Sequence, residues 1–564
     1  MSNYFQFISF LLYYSLYYST LCPAIQYSHP HDQSLILLIF KESFNIDQSN
    51  SDYISDQTSY YLSISRNRCQ PSYPKTNSWN ESTYCCSWDG VTCDKIMGNV
   101  VELDLSCGQL SGSIDSNSSL FRLPHLRRLN LAYNRISGSK ISMIFGNFSQ
   151  LEHLNLSSNG FSGRNYHLYG VLPSVRWNSY RTLEWLDLSY IQFLGKLPDS
   201  IGNMKALKRL HLSGYGFSGT IKPFGLLSLS SLQKLDLEGN QLSGPILMEL
   251  SSLVNLQELY LGSNQLSSPI PMELFSLVNL QGLDLEDLGS NQLSGPIPTE
   301  LSSLVNLTFL AISSNNFSGH VDVNIFSNMK QLQALDLFDN KLSVFSRNNS
   351  TLPASIRYLD LASYNITELE FLRSAPKLFV LDLSINNITE IPRMIPSSIV
   401  CRLESLKVLD LSNNMFTGSI PQCIGNMSQS LSILDMRMNE FEGTIPSNIS
   451  SRSLTTLNLQ FNHLRGNIPS SLAKCVNSKV LDLSNNNLNA SFPSWLGILP
   501  NLTVLSLRSN RFHGKILLST TSSFSKLQIL YLSRNQFIGT LPPMLFQSFS
   551  SMMEIDQTSK AANC

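Results

Sequence analysis

The stretch Cys85-Cys86-Ser87-Trp88-Asp89-Gly90-Val91-Thr92-Cys93 packs three cysteines around a tryptophan. Closely spaced thiolates can ligate zinc, exchange disulfides, or staple a chain that packing alone does not close. Zinc needs four well-spaced ligands, and this stretch offers only a strained subset. Adjacent cysteines are poorly placed to pair with each other, so Cys85 and Cys86 must each reach elsewhere. The expected pairs are Cys69 with Cys85 and Cys86 with Cys93, with Trp88 covering the first turn of whatever the staple closes.

Around this motif the chain reads as secreted. Phe5 to Tyr18 is apolar and small residues follow around Cys22 to Ala24, the pattern of a signal peptide over residues 1–24. A membrane anchor would need about 20 uninterrupted apolar residues, and tyrosines and serines break this run. Fourteen Asn-X-Ser/Thr sequons agree with passage through the secretory pathway: Asn80, Asn117, Asn147, Asn155, Asn306, Asn316, Asn348, Asn349, Asn365, Asn387, Asn426, Asn448, Asn489 and Asn501. In that setting disulfides are the default use of cysteine. The 564 residues carry 39 Lys and Arg against 40 Asp and Glu. That balance gives no reason to expect nucleic acid as a partner.

The architecture follows from repetition. From residue 100 one pattern recurs, L-x-x-L-x-L-x-x-N-x-L-x-G-x-I-P, about eighteen times with a usual period of 24. Leu406 to Pro421 is a clear copy. The L-x-L element alternates with period two, so each copy predicts a short strand with its leucines inward. The Asn turns inward where the chain leaves the strand, and its amide can satisfy backbone groups of neighbouring turns. No copy can bury its leucines alone, so stacking supplies the core. The fold class is therefore an α/β-type solenoid, a curved leucine-rich-repeat right-handed superhelix. A disulfide-bonded N-terminal cap is expected over residues 25–99, repeats over 100–546 and a tail over 547–564. His31 to Lys41 reads as a capped amphipathic helix in that cap.

Some copies depart from the pattern. Ile191, Tyr215 and Tyr364 stand where the ladder Asn should be, and Ser478 replaces a leucine. Leu283 to Asn291 carries three extra residues and predicts a bulge. Repeats six to eight, with LSSLVNLQ, LFSLVNLQ and LSSLVNLT, are near copies that point to tandem duplication. Cys401 and Cys423 fall in adjacent turns and are placed to form a bridge, whereas Cys107, Cys475 and Cys564 have no evident partner.

The run from HDQSLILLIFKESF through SWNESTYCCSWDGVTCD to VVELDLSCGQLSGSIDSNSSLFRLPHLRRLNLAYN resembles the N-terminal cap and first repeats of plant receptor-like proteins. So do IPQCIGNMSQSLSILDMRMNEFEGTIP and FPSWLGILPNLTVLSLRSNRFHGKI. The resemblance implies a plant-extracellular type of ectodomain acting in immune or developmental signalling. It also implies a membrane helix, a short tail and signalling through partner receptor kinases. Such proteins continue into a non-repeat island, further repeats and an anchor. This chain stops at Cys564, which reads as a soluble short form or a truncated product.

No phosphate loop, H-E-x-x-H, G-x-S-x-G or kinase motif set is present in the sequence. The expectation is a non-enzymatic binding protein without cofactor or metal. Its function then rests on the outward residues of the strands. One outward column is mostly Asp: Asp187, Asp236, Asp284, Asp336, Asp360, Asp382 and Asp410, read here as solvated. The column before it carries exposed aromatic and basic residues, the types enriched in binding hot spots. Arg128, His153, Trp185, Arg209, Lys234, Phe309 and Tyr358 in that column, with His211 and Tyr260 standing in the aspartate column, are the candidates for binding a peptide, protein or glycan. The rival readings are a secreted inhibitor of microbial wall-degrading enzymes, resembling the polygalacturonase inhibitors, and a non-signalling fragment.

Overall fold

The computed structural model describes residues 30–47, 69, 72–136, 148–159, 182–191, 195–214, 216–286, 291–347, 350–364, 366, 369–389, 399–427, 430–518, 523–547, 549 and 551. The chain divides into two compact units, Met1–Leu194 with Asn203–Leu207, and Gly195–Gly202 with Lys208–Cys564.

The first unit opens with the helix Pro30–Lys41. It buries Leu37 and Phe40 and ties itself to the first strand through a polar residue. The buried Gln33 accepts from the Val100 amide at 2.8 Å and donates to Asn99 Oδ1 at 3.2 Å. Strand Val91–Cys93 pairs antiparallel with Val100–Asp104. From there the sheet is parallel through Arg128–Asn130, His153–Asn155 and Trp185–Asp187. A second, smaller sheet joins Phe44–Ile46 antiparallel to Leu110–Gly112, which runs parallel to Arg135–Ile136.

The staples differ in one respect from the expectation. Cys86 is joined to Cys93, and Cys401 to Cys423, but Cys69 is joined to Cys107 rather than to Cys85. Ser72 lies against the first repeat, where its Oγ donates to the Cys107 carbonyl at 3.1 Å and Gln109 Nε2 donates to the Ser72 carbonyl at 3.1 Å. Cys85 faces the other way. It is fully buried as a free thiol, with its amide donating to Ser34 of the helix at 3.3 Å. Sulfurs of Cys85, Cys86 and Cys93 lie within 4.8 Å of one another, yet the Cys86–Cys93 bond leaves one thiol among the three. Trp88 stacks on Trp79 at 5.4 Å, and each indole N–H finds an acceptor, Thr83 Oγ1 and the Asp89 carbonyl respectively.

The second unit is built on one parallel sheet. Its strands run in register from Arg209–His211 through Lys234–Asp236, Glu258–Tyr260, Gly282–Asp284, Phe309–Ala311, Ala334–Asp336 and Tyr358–Asp360. The same register continues through Val380–Asp382, Val408–Asp410 and Ile433–Asp435 to Ile529–Tyr531. The central leucine of each strand faces its counterpart, as Leu235 faces Leu259, and both are fully buried. A further parallel sheet of six strands begins at Ser218–Thr220 and ends at Lys341–Phe345. Short 3-10 helices such as Met248–Ser252, Met272–Ser276 and Thr299–Ser303 carry the chain back toward the next strand.

The inward asparagines form the ladder that the sequence implies. Asn264, fully buried, donates to the Leu237, Leu261 and Gly262 carbonyls at 2.9, 3.1 and 3.0 Å and accepts from the Leu242 amide at 3.0 Å. Each such residue settles backbone groups of two turns that no strand partner reaches. Tyr364, where Asn is missing, sends its hydroxyl to the Leu337 carbonyl and supplies the same donor. Ile191 has no donor to offer and is simply buried. Tyr215 lies outside the described residues, as does most of the three-residue insertion. Asn291 beyond it still accepts from the Leu266 amide at 2.8 Å.

Candidate functional site

A strand residue just before the inward central leucine must face outward, because side chains alternate. In the first unit this places Arg128, His153 and Trp185 side by side on in-register strands. The His153 and Trp185 rings meet edge to face at 5.5 Å. Partial burial, and then the neighbouring Arg128 guanidinium, hold the His153 imidazole below its ordinary pKa. This small patch therefore sets the Arg128 guanidinium beside a neutral, aromatic flank at neutral pH, with Glu102, Glu152 and Glu184 close enough to act on His153.

The second unit gathers a larger cluster. Lys234 is ion-paired with Glu258, and its ammonium stands 4.5 Å from the centre of the Tyr260 ring. The Tyr260 hydroxyl donates to the same Glu258 carboxylate at 2.9 Å. Burial works against ionisation of Glu258, yet Lys234 and Tyr260 together keep its carboxyl below the usual range. Burial pushes the Tyr260 phenol far up, with the Glu258 charge acting the same way, so it stays a hydroxyl. The Phe309 ring lies 5.7 Å from Tyr260. It reaches across the intervening strand because that strand carries Gly282: a Cβ there would stand 2.3 Å from Phe309 Cε1. His211 sits 3.9 Å from Asp236 at the margin. Arg209 is exposed on the neighbouring strand.

Of the candidates in this unit, Lys234, Tyr260 and Phe309 form one constellation. Tyr358 does not join it. Strand Ala334–Asp336 separates it from Phe309, and its hydroxyl turns to Asp360 at 3.4 Å. Glu258 and Gly282 were not among the sequence candidates. Their only signal was their place in the same column, one as a carboxylate and one as a gap. A further cation–aromatic contact, Lys407 over Phe379 at 4.6 Å, lies one column earlier, which the sequence reading did not consider.

The aspartate column is not the solvated row expected. Asp187, Asp336 and Asp360 are 7, 6 and 9% exposed. Each bends back to accept the amide two residues on: Ser189 at 3.0 Å, Phe338 at 3.1 Å and Ala362 at 3.1 Å. Asp236, Asp284, Asp382 and Asp410 make the same turn. These carboxylates terminate the strands. Burial, and then mutual repulsion, raise the carboxyl pKa of Asp360. Burial raises Asp336 and Asp382 too, with neighbouring carboxylates adding to it. Asp284 is also raised, by burial and by Glu238.

Among the sequons, Asn80, Asn117, Asn306, Asn316, Asn387 and Asn489 are exposed, and Asn448 and Asn501 are half-buried. Asn155 is half-buried on the strand face, where its carbonyl accepts from the Ser157 amide and hydroxyl at 3.0 and 2.8 Å. Asn147, Asn348, Asn349 and Asn365, and the Asn426 side chain, lie outside the described residues. No helix among the described residues is long and apolar enough to cross a membrane.

Comparison with known proteins places these features. Residues 66–94 match the leucine-rich-repeat N-terminal domain, and residues 452–512 the leucine-rich repeat; single repeats match at 182–204, 231–253, 255–277, 405–427 and 526–548. Receptor-like protein Cf-9 of Solanum pimpinellifolium is 37% identical over 259 residues, covering 41% of this chain and 28% of that protein. The chain thus spans under a third of that relative's length. The ectodomain of the Arabidopsis thaliana receptor kinase GASSHO1/SCHENGEN3, solved with Casparian strip integrity factor 2, aligns with a TM-score of 0.70 at 26% identity, covering 92% of this chain and 63% of that one. The Arabidopsis receptor kinase HAESA, solved with the peptide hormone IDA and the co-receptor SERK1, aligns with a TM-score of 0.60 at 28% identity, covering 92% and 96%.

Proposed function

Since the chain belongs with the plant leucine-rich-repeat receptor-like proteins, we propose that it is an extracellular, non-enzymatic recognition module. It binds a peptide or protein ligand across the outward face of its strands. The observation that carries this reading is the Lys234–Glu258–Tyr260–Phe309 cluster. Its polar ends are already paired, Tyr260 is fixed by Glu258 and Lys234, and the Phe309 ring fills the gap that Gly282 leaves, so little side-chain freedom is left to lose on binding. Aromatic anchors of this kind dominate interface energetics. Related ectodomains solved with peptide hormones support a peptide as the ligand class, and the co-receptor in one of them supports a receptor kinase as signalling partner.

The test is direct. The secreted chain is immobilised and titrated with a panel of synthetic secreted-type peptides and soluble wall oligosaccharides. A peptide that binds the parent should lose on the order of tenfold to a hundredfold in affinity in Tyr260→Ala and Phe309→Ala. Unchanged affinity in both variants would move the ligand to another surface. Binding of oligosaccharides alone would replace the peptide reading by a glycan one.

A further inference from the structure

A second surface of the same unit has the makings of an interface. In repeats six to eight the residue just after the leucine that closes each 3-10 segment is Val254, Val278 and Val305, and these valines are 61, 50 and 46% exposed. They stack as one stripe. The side-chain amide of Asn279 donates to the Val254 carbonyl and that of Asn306 to the Val278 carbonyl, both at 2.9 Å. The stripe lies beside the N-terminal ends of the strands, apart from the outward face described above. Along the adjoining helices runs an acidic row, Glu249, Glu273 and Glu300. From Asp236 to Glu300 every charged residue is acidic; no Lys, Arg or His occurs between Lys234 and His320. Of these carboxylates Glu249, Glu273 and Glu300 are exposed, and no basic residue of this stretch of sequence answers them.

Glycan placement sets this surface apart. No sequon falls between Asn155 and Asn306. Asn255, Asn279 and Asn306 occupy one position in three repeats, and each donates to the preceding turn. Only Asn306 is followed by Leu-Thr; the other two are followed by Leu-Gln. A glycan at Asn306, whose Nδ2 meets the Val278 carbonyl, would border the stripe between Val278 and Val305 and leave Val254 clear.

We propose that the Val254–Val278–Val305 stripe, with its acidic row, docks a protein partner whose surface pairs aliphatic side chains with lysine or arginine. Aliphatic contact excludes water at the stripe, and the charge of the partner answers the glutamates. A second copy of this chain would set acidic row against acidic row, which argues against self-association.

The probe is an amphipathic helical peptide of alternating leucine and lysine faces, with its leucine–glutamate counterpart as control, titrated against the whole secreted chain. The lysine peptide should bind, the glutamate peptide should not, and binding should weaken as salt rises. Val278→Asp separates docking from bulk charge. It adds negative charge, so mere electrostatic attraction predicts tighter binding, whereas loss of the stripe predicts binding weakened on the order of tenfold. Gln281→Thr creates a sequon at Asn279, and the glycosylated protein should lose the peptide as well. It keeps the fold that Asn306 already shows in the same place, which can be checked by circular dichroism. Equal binding of both peptides, tighter binding by Val278→Asp, or indifference to the Asn279 glycan would overturn the proposal. So would a dimer that Val278→Asp dissolves.

Discussion

Single side chains in this protein do work that the repeat consensus assigns to a position rather than to a residue type. Asn264 satisfies three carbonyls and one amide that water does not reach. Asn264→Leu keeps the volume but leaves those groups unpaired, and should cost about 2–4 kcal/mol in guanidinium unfolding. Tyr364 fills the same role with one hydroxyl to the Leu337 carbonyl. Tyr364→Phe should cost about 1–2 kcal/mol, less than the asparagine change, because one bond is lost rather than several. Gly282 acts by omission. An alanine there would press on the half-buried Phe309 ring and swing it off Tyr260. The expected result is a changed near-ultraviolet circular dichroism signal, a stability loss of about 1 kcal/mol, and ligand affinity reduced as in Phe309→Ala.

Elements of the cap depend on covalent links. Helix Pro30–Lys41 buries only a few apolar side chains, and its neighbours are short strands and 3-10 turns. The Cys69–Cys107 bond spans 38 residues and the Cys86–Cys93 bond spans 7. Loop-closure entropy makes the longer link the stronger stabiliser, about 4 against about 2 kcal/mol. Cys107→Ser should therefore lower the cap's unfolding midpoint more than Cys93→Ser, as limited proteolysis or thermal unfolding would show. Equal effects would mean that native packing, and not chain entropy, sets the contribution of each link.

Over the molecule, one column of carboxylates couples stability to pH. Asp336, Asp360 and Asp382 stand on consecutive in-register strands of the second unit, and burial raises all three. Their folded pKa values lie above the unfolded ones, so the folded state holds more protons. Stability is then fully present in acid and is lost as pH rises from about 4 toward about 8, the value to which Asp360 is pushed. Thermal unfolding of the chain should give a higher Tm at pH 5 than at pH 8. Asp360→Asn keeps an oxygen to accept from the Ala362 amide and cannot ionise, so it should raise the Tm at pH 8 and flatten the profile. A Tm that climbs between pH 5 and 8 would contradict the burial argument. Glu258, whose carboxyl is lowered, acts in the opposite sense and only in more acidic solution.

The repeat was legible because its signals are local. Leu-x-Leu alternation, the inward Asn and a regular period dictate a strand and a turn within one copy, and copies that cannot close alone must stack. The helix of the cap, the Cys86–Cys93 staple and the Cys401–Cys423 bridge join residues close in sequence, and the sequence pointed to each of them. What lay beyond it depends on packing that no single copy fixes. The partner of Cys69 depended on where Cys69 and Ser72 come to lie against the first turn. The burial of the aspartates depended on how tightly adjacent strands press them together. Gly282 took on meaning only when Phe309 from the next repeat came to lie over it. A single chain states which residues recur; the register of one repeat against the next decides which of them touch, and that register exists only in the folded stack.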